Sequence, residues 1–361
     1  MTQIQRLARR CISLARRGRR LIAGIALIGL VASFPAQANG ILPPSAWQAY
    51  KRAFVAADGR VIDRGNGDIS HSEGQGYGML LSLLADDRAT FESIWGWSQR
   101  NLRRDDGLFG WQWHPNKTPP VPDWNNATDG DLLIAWALVR AGQRWKQPQW
   151  LDTARAMARR IRETSVANTP FGPVILPAQQ GFERGGRYTL NPSYWVYPAI
   201  DVLASVDDAA FWNQVRSAGL RLLALSRFPV VGGVPPDWIV LHPDARLGLP
   251  DDPSRRRFGF EALRIPLYLC WAGITDRDLF SAYLAVWSSD DTPAWVDLAN
   301  GDRAAYALQR SHRAARSVLQ RCLGQRVAPP AAQLLVDETD YYGSTLMLFA
   351  TLPHPNAKQS P

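Results

Sequence analysis

The sequence predicts an all-α chain built from repeated helix pairs, and three observations carry that expectation. Apolar residues recur at three- and four-residue intervals through many segments. Two-residue alternation is scarce: Phe171–Gln180 and Val230–Leu241 are broken by Pro and Gly and hold short hairpins at most. Helix starts recur near Glu73, Asp129, Ser193, Glu261 and Asp340, at intervals of 56, 64, 68 and 79 residues. Each interval fits one helix, a return helix and loops. Apolar, Trp-rich helices would alternate with amphipathic ones such as Trp150–Thr164. That is the layout of concentric helical layers, with all inner helices starting on one face.

The chain opens with seven arginines between Arg6 and Arg20 and no acidic residue. An apolar stretch from Leu21 to Phe34 and the small-residue site Ala36-Gln37-Ala38 follow. We read this as a secretory signal cleaved after Ala38, which predicts a periplasmic or secreted protein. The apolar stretch is too short for a comfortable membrane span, so no membrane association is expected after cleavage. The remaining residues, 39–361, contain no low-complexity linker and read as one domain.

The charge balance changes with the signal. The whole chain has 41 basic and 32 acidic side chains, and without the seven signal arginines the excess falls to +2. No nucleic-acid footprint remains. Five histidines, at 71, 114, 242, 312 and 354, lie at no metal-ligand spacing, and there is no P-loop or dinucleotide fingerprint. Neither metal nor cofactor is expected. Of three cysteines, Cys11 leaves with the signal. Cys270 lies in an apolar run, and a bond to Cys322 is permitted but not fixed by sequence.

The expected helices are Ser45–Val55, Tyr77–Ala85, Thr90–Leu102, Asp131–Ala141, Trp150–Thr164, Asp208–Ser226, Leu263–Ala272, Asp276–Trp287, Arg303–Leu323 and Tyr341–Leu352. Two starts share a pattern. Ser72-Glu73-Gly74-Gln75 and Thr128-Asp129-Gly130-Asp131 each precede an apolar run and read as capping boxes, with Asp131 as a capping residue. Each puts an acid in the first turn with glycine beside it. Gly74, Gly76 and Gly78 cost helix stability and are expected to leave space around Glu73, with the Tyr77 phenol nearby. An acid at a helix N-terminus can simply complement the dipole. A catalytic acid there must instead be pushed above its usual pKa, by burial or by a like charge such as Asp129.

Glu261 and Arg264 lie three apart, on one helical face, where a guanidinium would keep the carboxylate ionised. Pro266 requires the helix to start near here or to kink. Among 15 tryptophans, Trp111, Trp113, Trp124, Trp195 and Trp238 fall in loops. Two stand beside acids, in Asp123-Trp124 and Asp237-Trp238, which suits sugar rings. Packing accounts for most of the others. Asn191-Pro192-Ser193-Tyr194 reads as a further helix start that aims Tyr194 at the same face. Paired carboxylates on rigid elements are the working parts of glycoside hydrolysis, so the chain reads as an enzyme acting on a polysaccharide.

In order, Ser72-Glu73-Gly74-Gln75-Gly76-Tyr77-Gly78-Met79, Ala127-Thr128-Asp129-Gly130-Asp131, Asn191-Pro192-Ser193-Tyr194, Pro236-Asp237-Trp238 and Glu261-Ala262-Leu263-Arg264 resemble glycoside hydrolase family 8. Gly59-Arg60-Val61-Ile62-Asp63 resembles the branch that accompanies bacterial cellulose synthase. The likeness runs from about Trp47 to Tyr342. It implies an (α/α)6 barrel of six helix hairpins, with short β elements in its loops. It also implies inverting endo-hydrolysis of β-1,4-glucan beside cellulose synthesis. Carried over by motif, Glu73 is the general acid, Asp129 orients the sugar, Glu261 is the general base and Tyr194 helps hold the water. Tyr77, Trp111, Trp113, Trp124, Trp238 and Arg264 complete the expected substrate-binding set. Family members carry Asp where this chain has Glu261, which leaves Asp129 as the fallback base. Competing readings are the same machinery acting on xylan, chitosan or mixed-linkage glucan, and a glucan-binding assembly protein with weak catalysis.

Overall fold

Burial separates the helices of this chain into two layers. Thirteen of the 17 residues of α4 (Thr128–Arg144) are buried, against five of 17 in α5 (Pro148–Thr164). The first is apolar all round and the second is a stripe, as expected for an inner and an outer helix. The computed structural model describes residues 40–352 except Pro329, so the signal and its cleavage site lie outside the described residues. The remaining helices are α1 (Pro44–Phe54), α2 (Ser72–Leu84), α3 (Arg88–Asn101), α6 (Tyr197–Ala204), α7 (Ala209–Leu225), α8 (Arg264–Trp271), α9 (Arg277–Val286), α10 (Arg310–Cys322) and α11 (Tyr341–Phe349).

Helices α2, α4, α6, α8, α10 and α11 each pack on the next, and α11 returns to α2. This closed ring is the inner layer of an (α/α)6 barrel. Helix α3 packs on α2, α5 on α4, α7 on α6, α9 on α10 and α1 on α11. Among the described residues the sixth outer position has no α-helix. Residues 323–328 and 330–340 fill it, with one 3-10 turn at Ala332–Leu334 that touches α1. Beside this seam, a Cys270–Cys322 disulfide ties the end of α8 to the end of α10, with Cα atoms 6.2 Å apart.

The two ends of the barrel differ. At one end the connections are short: 85–87, 145–147, 205–208 and 272–276. At the other they are long: 55–71, 102–127, 165–196, 226–263 and 287–309. Those long connections hold the strands. Val166–Thr169 pairs with Gly172–Ile175, and Glu183–Arg184, Arg187–Leu190, Ile239–Leu241 and Leu247–Gly248 form one antiparallel sheet. The sheet extends beyond the short hairpins expected there.

Other expectations are corrected at the helix starts. The N-cap of α2 is His71, whose Nδ1 accepts the Gly74 N–H at 2.9 Å. Ser72 lies inside the helix, and its Oγ is buried without a partner. Gln75 accepts the Val61 N–H and donates to Ser98 instead of reaching back. Thr128 donates to the Leu176 carbonyl, and Asp131 binds Phe109 N–H and Asn126, so neither caps α4. Pro192–Tyr194 is only a 3-10 turn, and the helix follows at Tyr197. The α8 helix begins at Arg264, which puts Pro266 in its first turn, where no N–H is needed. Glu261 therefore sits in the turn before the helix and not on its face.

The glycines of α2 do not leave open space. A Cβ on Gly76 would stand 2.6 Å from Leu133 Cβ, and one on Gly78 would stand 2.7 Å from Val61. A Cβ on Gly130 would stand 2.2 Å from Ser72 Oγ and 2.7 Å from the Glu73 nitrogen. Their role is close approach: α2 and α4 touch backbone to backbone at their first turns.

Candidate active site

All six inner helices start at one cavity of about 780 Å³ on the long-loop end. Its walls include Glu73 from α2, Asp129 from α4, Tyr194 before α6, Glu261 and Arg264 at α8, Gln309 and Ser311 at α10, and Tyr341 and Tyr342 at α11. The glycine contact between α2 and α4 explains why Glu73 and Asp129 meet. Each is second in its helix, and the helices touch at that level.

Arg264 is the hub. It is 2% exposed, and its Nη1 lies 2.7 Å from Glu73 and 3.5 Å from Asp129, while Nη2 bonds Glu261. The guanidinium stands between the two glutamates. Burial alone would lower the Arg264 pKa, but Glu261 and Glu73 hold it well above the usual value.

Glu73 and Asp129 both face Arg264 Nη1 and repel each other as like charges. Burial pushes Glu73 up, but Arg264 and His71 outweigh that and leave it below an ordinary glutamate. Burial and the Glu73 charge push Asp129 well up, and Arg264 only partly opposes them. Asp129 is 1% exposed and farther from the cation, so a proton rests on Asp129. The expectation that Asp129 would raise Glu73 is reversed, because Arg264 sits closer to Glu73.

Glu261 accepts from Asn191 Nδ2 at 3.2 Å, Ser193 Oγ at 3.3 Å and Arg264, all on Oε2. Among the described residues Oε1 takes no hydrogen bond. Tyr194 stands against Asp129 and Glu261, and burial and those charges keep its phenol protonated.

Of the expected aromatic set, Trp111 and Tyr194 line the cavity. Tyr77 does not: it is buried, with its hydroxyl 2.5 Å from that of Tyr268. Trp113 packs edge-on against Trp97 beneath Arg60. Trp124 is 49% exposed and lines a neighbouring polar cleft with Arg104 and Asp106. Trp238 stacks on Phe182 and lies 6.0 Å from the Tyr194 ring, under Arg255. Trp195 is core, with its indole N–H bound to the Val215 carbonyl. Asp237, expected beside a sugar, is buried.

Sequence reasoning missed His71, Asp63, Tyr341 and Tyr342 in the cavity wall. His71 directly precedes the Ser72 motif, and its Nε2 lies 3.4 Å from Asp63. Tyr341 and Tyr342 directly follow the expected helix start at Asp340.

The family model described as "Glycosyl hydrolases family 8" matches residues 20–355. An endoglucanase of Cellulomonas uda is 36% identical over 270 residues, 73% of each chain. A probable endoglucanase of Novacetimonas hansenii is 37% identical over 264 residues, 72% of this chain and 77% of that one. Among solved structures, the endo-beta-1,4-glucanase CMCax of Acetobacter xylinum superimposes with TM-score 0.77 at 35% identity, covering 85% of this chain and 95% of that one.

Proposed function

Taking as premise that the chain belongs to glycosyl hydrolases family 8, we propose that it is an inverting endo-β-1,4-glucanase. The observation that carries the reading is the Glu73–Asp129–Glu261 constellation on Arg264, at the base of the cavity where six helix starts converge. Glu73 protonates the glycosidic oxygen. Glu261 takes a proton from the attacking water through its free Oε1. Asp129 orients the sugar and holds a proton beside Glu73, so a shift of that proton arms the acid. Tyr194 lines the same cavity as Asp129 and Glu261, close enough to feel both charges, and helps hold the water. The substrate is a β-1,4-glucan, with Trp111 against one ring face. The relatives named endoglucanase support that choice.

The same proposal places the enzyme outside the cytoplasm, beside cellulose synthesis. The arginine-rich, apolar N-terminus and the Cys270–Cys322 bond support the compartment. The resemblance of 59–63 supports the setting.

The test is reducing-end release from carboxymethylcellulose by the parent, Glu73→Gln and Glu261→Gln, with the product anomer read by NMR. Activity with an inverted anomer, and collapse by about 10²-fold or more in both variants, is the expected result. Full activity in Glu261→Gln would move the base to Asp129. A folded parent active only on xylan, chitosan or mixed-linkage glucan would replace the substrate assignment.

A further inference from the structure

The turn 259–262 that carries Glu261 belongs to no helix, yet most of its backbone is tied. Asp237 Oδ1 accepts the N–H groups of Gly259, Glu261 and Ala262 at 3.1, 3.1 and 2.7 Å. Tyr342 donates to the Phe260 carbonyl and Tyr283 to the Ala262 carbonyl, each at 2.9 Å. Leu263 and Arg264 N–H groups take the carbonyls of Gly259 and Glu261. Asp237 is anchored in turn, its own N–H donating to the Arg257 carbonyl at 2.5 Å. A Cβ on Gly259 would stand 3.0 Å from Asp237 Oδ2, so the turn is drawn against the carboxylate.

We infer that Asp237 is a positioning residue for the general base: by gripping three of the four N–H donors of this turn, it sets where the Glu261 carboxylate stands. The inference rests on the reading of Glu261 as the base. A buried carboxylate is costly, and a neutral acceptor could tie the same turn. The charge adds stronger hydrogen bonds to the N–H groups, and so a firmer hold on the turn. The other groups facing Glu261 are Arg264, Asp129, Tyr194 and Tyr342. Burial pushes Asp237 up, its three N–H donors pull it back and Glu261 adds to the rise, leaving it at about 7. Its charge therefore develops near neutral pH.

The test is Asp237→Asn in the full chain, which keeps an acceptor oxygen but removes the charge. We expect kcat to fall about tenfold with KM within about twofold. We also expect the ratio of parent to variant kcat to grow as pH rises through about 7, because only there does the parent Asp237 carry the charge that Asn lacks. A ratio that stays flat from pH 5 to 8, whatever its size, reduces Asp237 to a structural anchor and overturns the inference. Glu261→Gln run alongside keeps the failures apart: full activity there removes the base assignment itself. If Asp237→Asn does not fold, Tyr283→Phe removes the side-chain donor to the Ala262 carbonyl on the far side of the same turn. A loss of kcat of about threefold or more at unchanged KM supports positioning through this turn, and parent-like kcat overturns it.

Discussion

Replacing Gly130 with alanine should damage catalysis more than its size suggests. The new Cβ would lie 2.2 Å from Ser72 Oγ and 2.7 Å from the Glu73 nitrogen. Ordinary contact begins near 3.4 Å, so about 1 Å of separation must be found between the first turns of α2 and α4. Both are backbone-fixed and buried, and overpacking of this kind costs about 1–3 kcal/mol. For a chain of this size that is about 2–5 °C of Tm. The same displacement pulls Glu73 from Asp129, and about 1 Å at reacting groups costs about 10²-fold in rate. Gly76→Ala is the matched control. Its Cβ would meet Leu133 Cβ at 2.6 Å, one turn deeper, so it should lose comparable stability but less activity per folded molecule. Thermal unfolding and reducing-end assays on all three proteins decide it. A Gly130→Ala protein with parent-like activity would show that the glycine contact does not set the carboxylate pair.

Three further outcomes follow from the same structure. Arg264→Met leaves buried carboxylates without their cation, which costs about 3–5 kcal/mol at neutral pH; the loss should shrink as the pH falls and the acids take protons, and unfolding measured from pH 7 to 4 checks the trend. Replacing Cys270 and Cys322 with alanine opens a 52-residue link and should cost about 4 kcal/mol by chain entropy, read as a lower Tm that thiol reductant reproduces in the parent. Asp87 is part-buried; burial pushes it up, but Lys51, Trp47 and Thr90 hold its carboxyl down at about 2. Its stabilisation is present above its ordinary value near 3.8 and disappears as pH falls through about 2, so Asp87→Asn should be less stable at pH 6 and match the parent near pH 2.

The acid pair was legible because its signal is local: two polar starts, each with an acid and a glycine, before apolar runs. What those glycines do was not, since a close approach is invisible until the partner helix is known. The layers were legible from periodicity, but α10 starts seven residues later than expected. Ala304 and Leu308 N–H groups bond the carbonyls of Trp295 and Thr292, and that pairing overrides local helix preference in 303–309. The tryptophans divided unpredictably for the same reason. Trp195 looks like a loop residue, yet it fits over Gly219 in the core. The grip of Asp237 on the Glu261 turn joins positions more than twenty residues apart across a long connection, and no local pattern encodes it.

The unequal connections at the two ends of the barrel divide the labour of the chain. The tight end, with links of three to five residues, leaves no slack and fixes how the helices stack. The loose end is a rim of long segments around an aperture whose chemical groups are rooted in helix starts below it, apart from Glu261 in the turn before α8. Insertions or deletions in rim segments away from Asp237 and the Glu261 turn can reshape the mouth, and so the polymer it admits, without disturbing the stack or the acids at its floor. Adaptation to new polysaccharides can then proceed by editing rim segments alone, at little risk to folding.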